Sequence, residues 1–340
     1  MTDIRVEGQD EQVATPIQPE NQATSLDLTM NFHGQAVDYL LILLKTTFFI
    51  IITAGLYYPW ARAARLRYLI NHTTLGPHAF SFNGTGKEIA VSYFKGLFIY
   101  GLLYAGLMYS SRVSLESPML GAALSFLFLN LLYALLPLAI WGAKAYRLSR
   151  MRYRSIYFSI DRRRRKAFLK RYFIDFLLMM VTLGFYLPVL IYNMQKNLTN
   201  ATRWGNVPLH YTARLSDSYW LSINNFLLCL VTLGLYMPFA FAKRLNFDAN
   251  HTRVGDEIFV RAQITAGDVV MLVVVPLLLT TLTLGLAYPW VTVWARQRIL
   301  QRFAVIGRLD LASVRQNKDL ASADGETLGD LWGVDMSMGV

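Results

Sequence analysis

Thr53-Ala54-Gly55-Leu56-Tyr57-Tyr58-Pro59 is the first of four occurrences of one phrase, T-x-G-x-x-x-P; the others run Thr182 to Pro188, Thr232 to Pro238 and Thr283 to Pro289. Each closes a long apolar run, and a fifth run reaches Pro137 without the Thr and Gly. Gly loses more backbone entropy on ordering than other residues, and Pro lacks an N–H and clashes with the preceding turn. The pairs Gly55 and Pro59, Gly184 and Pro188, Gly234 and Pro238, and Gly285 and Pro289 therefore each weaken a helix twice. In a bilayer the freed backbone groups must find partners in protein or water, since lipid offers none. The hydroxyls of Thr53, Thr182, Thr232 and Thr283 can return a hydrogen bond to the backbone at the break. Two readings follow: a helix-ending device copied by duplication, or a working hinge or unwound ligand site.

Consecutive prolines at 137, 188, 238 and 289 stand 51, 50 and 51 residues apart, whereas 59 and 137 are 78 apart. The surplus reads as one additional span with its loop, supplied by residues 93–110. Beyond the motif come basic amphipathic segments suited to a headgroup layer, such as Trp60 to Leu69. Asn, Thr and Gly then recur in step as Asn71, Thr73, Gly76, as Asn200, Thr202, Gly205 and as Asn250, Thr252, Gly255. Before the runs lie short stretches with period-two alternation, which read as strands: Leu26 to Phe32, His78 to Phe82, Ser155 to Ile160, Leu209 to Leu215 and Glu257 to Ile264.

The composition agrees with a membrane location. Of the 340 residues, 54% are hydrophobic and only 16% charged, which is more apolar than an ordinary soluble domain. The expected class is a mainly α, polytopic helical membrane protein built from repeated strand, transmembrane helix, TxGxxxP and amphipathic helix units, with short extramembrane β-strands. Its membrane domain covers 25–310, with about six apolar segments at 39–60, 93–110, 119–143, 172–194, 219–242 and 269–295. The tails 1–24, polar and acidic with no apolar stretch of a secretory signal, and 311–340 read as disordered. The net charge of +11 comes from cations that flank apolar runs, as in membrane-protein loops, and no nucleic-acid reading motif accompanies them.

Phe32-x-Gly34, Thr53-x-Gly55-x-Tyr57-x-Pro59-Trp60, Asn71-x-Thr73-x-x-Gly76, Phe82-x-Gly84-x-Gly86 and the later Thr-Leu-Gly-x-x-x-Pro copies follow one another in a fixed order. In these residues the chain resembles the YjgN-like bacterial inner-membrane proteins of unknown function, over roughly residues 26 to 310. The resemblance implies a multi-pass inner-membrane location. It brings no activity, substrate or catalytic residue with it.

Counting back 13 or 14 residues from the motif prolines lands on Lys45, Asp175, Asn224 and Asn225, polar groups inside apolar runs. Such groups are costly in lipid and usually face a bundle interior or water. They form a candidate intramembrane polar centre for a proton or small solute. The competing reading has Lys45 snorkelling and Asp175 capping near the surface. The stretch Arg162-Arg163-Arg164-Arg165-Lys166 is a candidate contact for anionic lipid.

His72 and His251 share one repeat position, where helix-end hydrogen bonding is the expected role. The lone Cys229 offers neither a disulfide framework nor a zinc cluster. No catalytic motif, cofactor motif or metal set is present, so no enzymatic activity and no cofactor are expected. Two arrangements of the chain stay open. Each run crosses the bilayer once, giving six spans, or each motif unit enters and returns as a broken hairpin with all strands on one face. Two functions stay open as well: a transporter-like protein with a polar centre, or a non-transporting scaffold that binds lipid or partners through a basic cytoplasmic face. The lipid bilayer is the one partner the sequence names, and it carries no signal for oligomeric state.

Overall fold

The computed structural model describes residues 25–308 together with 314 and 315. The tails expected at 1–24 and 311–340 otherwise lie outside the described residues. Five β–α–α–β units follow one another. The first comprises β1 (Ser25–Phe32), α1 (Ala36–Ile52), α2 (Tyr58–Asn71) and β2 (Thr73–Leu75). The second comprises β3 (His78–Phe82), α3 (Gly86–Glu116), α4 (Pro118–Arg150) and β4 (Met151–Tyr153). The third comprises β5 (Ile156–Ile160), α5 (Arg165–Val181), α6 (Leu187–Ala201) and β6 (Thr202–Trp204). The fourth comprises β7 (Val207–Tyr211), α7 (Leu215–Val231), α8 (Met237–Asn250) and β8 (Thr252–Val254). The fifth comprises β9 (Ile258–Ala262), α9 (Ala266–Leu282), α10 (Tyr288–Leu300) and β10 (Phe303–Arg308).

Every strand pairs antiparallel with its neighbours in sequence, and β1 pairs with β10 from Ser25↔Arg308 to Thr29↔Ala304, which closes a ten-stranded barrel. Since the strand before each helix pair and the strand after it belong to one barrel, each helix pair leaves the barrel and returns to it. Each helix packs on the next, and α10 packs on α1, so the ten helices form a ring over the barrel.

T-x-G-x-x-x-P is the reversing turn of these hairpins, so neither the six single crossings nor a kink between a membrane helix and a flat interfacial helix describes it. The basic segment Trp60 to Leu69 is accordingly the return arm of a hairpin, packed between α1 and α3. In all four copies the Thr hydroxyl donates 2.5–2.7 Å to the carbonyl four residues back, ending the outgoing helix. The same oxygen accepts the N–H four residues on, at 2.9–3.1 Å, which caps the returning helix. The residue after Thr is left-handed at φ 48–50°, and the Gly follows at φ 90–93°. The Gly N–H reaches the carbonyl five residues back at 2.6–2.8 Å, the Schellman pattern. Pro then falls in the first turn of the return helix, where its missing N–H costs nothing.

The second unit lacks this device. Leu131 and Tyr133 stand where Thr and Gly would be, and α4 runs unbroken through Pro137. Its arms are 31 and 33 residues long, whereas α1, α5, α7 and α9 have 17 each. The surplus of sequence in this unit thus lengthens both arms of one hairpin, and residues 93–110 are part of the long α3. Small residues bring these arms together: Ser110 and Ser125 share a hydrogen bond of 2.8 Å, and a Cβ on Gly121 would meet the Ser114 backbone.

Alternation along the strands turns Leu28, Phe80, Phe158, Val254 and Ile258 toward the barrel lumen, where they line a small cavity of about 180 Å³ beside Tyr153 and Trp204. Val314 packs onto Tyr153 and Trp204, and the Arg315 N–H donates 3.0 Å to Asn206 Oδ1. Asn71, Asn200 and Asn250 each accept the N–H of the residue that ends the next long strand, Phe82, Tyr211 or Ala262, at 2.8 Å. These bonds tie each hairpin to its successor. Strand and helix meet tightly at Gly34, where a Cβ would collide with the Phe32 ring. In the last unit Ala262 replaces the aromatic residue, and Ile264 occupies the Gly position.

Replacing Thr232 with Val removes both of its tip bonds and leaves the Tyr236 N–H without its partner, at a cost of about 1–3 kcal/mol. Thr292→Val removes only one bond, from an exposed hydroxyl on α10 to the Tyr288 carbonyl. Thermal unfolding in detergent is expected to rank Thr232→Val clearly below Thr292→Val, and equal losses would contradict the bridging role.

Candidate functional site

Seven residues beyond the prolines at 59, 137, 188, 238 and 289 stand Leu66, Lys144, Gln195, Leu245 and Arg296. Leu66, Lys144, Gln195 and Arg296 line one cavity of about 880 Å³. They stand on α2, α4, α6 and α10, the return arms of four different hairpins, so the cavity lies inside the helix ring. Its α4 wall changes character along its length. Leu132, Leu136 and Ala139 form the end toward the hairpin tips, and Lys144 and Arg147 the end toward the barrel. Tyr100 and Leu136 of the lining are also exposed, so the apolar end is not sealed.

Lys144, Arg147 and Arg296 form no ion pair with a carboxylate among the described residues, and the cavity lining contains neither Asp nor Glu. The Arg296 guanidinium lies 5.9 Å from the Phe32 ring centroid, and its buried Nε has no hydrogen-bond partner. Arg62, on α2, adds a like charge that acts on Arg147.

Other charges are paired within single hairpins and cross-link their arms. In the second, Arg150 meets Glu88 at 2.9 Å, and Glu88 also closes a capping box with Thr85. In the fourth, Arg244 meets Asp248 at 2.9 Å and reaches across to Ser218 at 3.0 Å. In the fifth, buried Asp268 receives Arg298 at 3.1 Å and Arg302 at 3.0 Å. Burial alone would raise the Asp268 carboxyl. Hydrogen bonds from Arg302 and Thr265 together with the Arg302 charge outweigh it and hold the group down at about 2. The first hairpin uses stacked Tyr39 and Tyr68 instead, with the Tyr68 hydroxyl donating 2.7 Å to the Gln35 carbonyl.

Asp175 belongs to this second class. It is 1% exposed on α5 and receives Arg171 at 3.1 Å, Asn193 at 2.8 Å and the Tyr186 hydroxyl at 3.3 Å, all from its own hairpin. Lys45 is exposed on α1 and is not among its partners; Asn224 is exposed on α7, and Asn225 donates 3.4 Å to the Ala240 carbonyl. The four residues are therefore not gathered into one polar centre. One residue along a helix is a rotation of about 100°. Lys45 and Asn224, 14 before their prolines, face outward, whereas Asp175 and Asn225, 13 before, turn inward.

The twelve helix-break residues, Thr53, Gly55 and Pro59 through Thr283, Gly285 and Pro289, all sit at the hairpin tips described above. Arg162, Arg163 and Arg164 form an exposed 3-10 turn at the junction of barrel and hairpin, followed by Arg165 and exposed Lys166 at the start of α5. His72 and His251 end α2 and α8, with Nδ1 2.8 and 2.7 Å from the Tyr68 and Phe247 carbonyls. Sequence reading missed the chamber cations because it treated Lys144 as loop charge. The signal that finds them is the seven-residue offset shared by Lys144 and Arg296.

A ring of apolar helical hairpins over a strongly basic base is the architecture of a membrane protein. The chain belongs to the family described as bacterial protein of unknown function (DUF898), which it matches over residues 27–224 and 242–331. It is 37% identical over 101 residues to the inner membrane protein YjgN of Escherichia coli (strain K12), covering 30% of this chain and 24% of that protein. With the YjgN of Escherichia coli O157:H7 the identity is 35% over the same shares. The chain thus matches about a quarter of the length of these curated relatives. No solved structure matches it.

Because Asp268 is held below its ordinary 3.8, its stabilising effect is complete above that value and fades as pH falls through about 2. Asp268→Asn is expected to lower Tm at pH 6, with the gap to the parent narrowing below pH 4 and closing near pH 2. A gap that stays constant across this range would show that the Asp268 charge does not hold the fifth hairpin.

Proposed function

We propose that this chain is a multi-pass protein of the bacterial inner membrane that is not an enzyme, binds lipid in the cytoplasmic leaflet and conducts no solute. The observation that carries the reading is the character of the hairpin tips. Leu183, Leu233 and Leu284 are 92%, 94% and 94% exposed at turns whose backbone groups are satisfied internally, a combination suited to lipid and wasteful in water.

Length supports the partition between dipping and crossing. At 1.5 Å per residue the 17-residue helices reach about 26 Å, and α3 and α4 about 47 and 50 Å. The hydrocarbon core is about 30 Å thick, so the second hairpin crosses and the other four dip in from the barrel side. Arg150, Arg152, Arg154, Arg203, Arg253 and Arg261 cluster at the barrel, which the positive-inside tendency assigns to the cytoplasm. Arg162, Arg163, Arg164, Arg165 and Lys166 then lie level with anionic headgroups. Binding is favoured over conduction because the barrel lumen is packed by Tyr153, Trp204 and Val314, and its cavity shares no lining residue with the helical chamber.

Single cysteines at Ser117, Leu233 and Arg261 in a Cys229→Ser background test this placement. Ser117 is expected to react with an impermeant maleimide from the periplasmic side and Arg261 only in inverted vesicles. Leu233 is expected to react from neither side and to be quenched by a lipid-borne probe. Labelling of Leu233 from the periplasm would mean that the hairpins cross, and a proton gradient that collapses faster in proteoliposomes than in empty vesicles would overturn the non-transporting reading.

A further inference from the structure

We infer that the helical chamber is a binding site for one anionic amphiphile, an alkyl chain ending in a phosphate or carboxylate, with the acid group on Lys144, Arg147 and Arg296. This rests on the lipid-binding reading above and names the ligand class and the site.

The chamber has two ends of opposite chemistry. Leu132, Leu136 and Ala139 suit an alkyl chain, and the exposed Tyr100 and Leu136 leave that end of the chamber unsealed. At the far end Lys144 and Arg147 of α4 and Arg296 of α10 line the same cavity, which has no carboxylate among its lining residues. A cavity of about 880 Å³ is of the size that encloses a small ligand.

Lys144 and Arg147 repel each other along α4, and Arg62 of α2 adds to the repulsion on Arg147. An oxyanion between them offsets that repulsion and accepts charge-assisted hydrogen bonds. A neutral lipid would supply the tail contacts alone, and a free phosphate would leave the apolar wall uncovered. The hairpin staples show the contrast: Arg150, Arg244, Arg298 and Arg302 all have carboxylate partners inside the protein. The chamber cations have none among the described residues, and all three line the cavity.

The test titrates the full chain in phosphatidylcholine nanodiscs with dodecyl phosphate, subtracting empty nanodiscs, and reads affinity and stoichiometry by calorimetry. One saturable site per chain is expected for dodecyl phosphate and for laurate, none for dodecanol, and much weaker binding for inorganic phosphate. The triple change K144Q/R147Q/R296Q is expected to weaken dodecyl phosphate binding by about tenfold or more, because hydrogen bonds to charged groups are lost. Ala139→Trp fills the apolar end without altering a charge and should also abolish the site, so the test survives if the triple variant fails to fold. The exposed triple R162Q/R163Q/R164Q should leave the affinity unchanged.

Equal affinity for dodecanol, equal affinity for inorganic phosphate, or a chamber triple that binds like the parent overturns the inference. Loss of binding in the exposed triple alone would move the ligand to the surface and also overturn it, while leaving a lipid-binding protein. Cysteine sidedness that contradicts the dipping hairpins, with the saturable site retained, would instead remove the membrane placement and leave the chamber.

Discussion

A chain that reverses between two helices has to satisfy the last carbonyls of one helix and the first N–H groups of the next. Here a single hydroxyl serves both ends: the Thr oxygen donates backward to the outgoing helix and accepts from the returning one. The left-handed residue and the Gly at φ near 90° bring the chain round so that both bonds are made at once. The rest of the architecture depends on this turn. Where it is present the hairpin is short, and where Leu131 and Tyr133 replace it the helix continues and the hairpin is long.

Charge is organised by the same frame. Four of the five hairpins hold their arms together with polar cross-links. The cross-links at Glu88, Asp175, Ser218 and Asp268 do so with groups buried or partly buried beside their partners. Lys144, Arg147 and Arg296, also on return arms, have no carboxylate partner among the described residues and line one cavity instead.

Much of this could be read from the chain. Five of the six longer strands, β1, β3, β5, β7 and β9, overlap period-two stretches because alternate residues face a packed lumen; β7 ends four residues before its stretch does, and β10 lies outside the strands read from the sequence. The three-residue strands β2, β4, β6 and β8 are too short to carry a period, and the pairing of β1 with β10 joins segments nearly 280 residues apart with no local trace. The motif was visible, but its direction was not: the Gly and Pro announce a break, and only the double use of the Thr oxygen makes it a reversal. Asp175 is buried within its own hairpin, but an apolar run carries no azimuth, which is why Lys45, one residue off register, faces away.

The closed barrel also bears on how the protein is made. Pairing of β2 with β3, β4 with β5 and so on needs only a tight turn, so these hairpin links can zip as each unit leaves the ribosome. The seam between β1 and β10 has no such shortcut. The first strand waits through the synthesis of nearly five units with one edge unpaired, an interval in which it is open to a wrong partner. The β1–β10 seam, five residue pairs long and longer than any of the tight-turn pairings, is built to win that late competition.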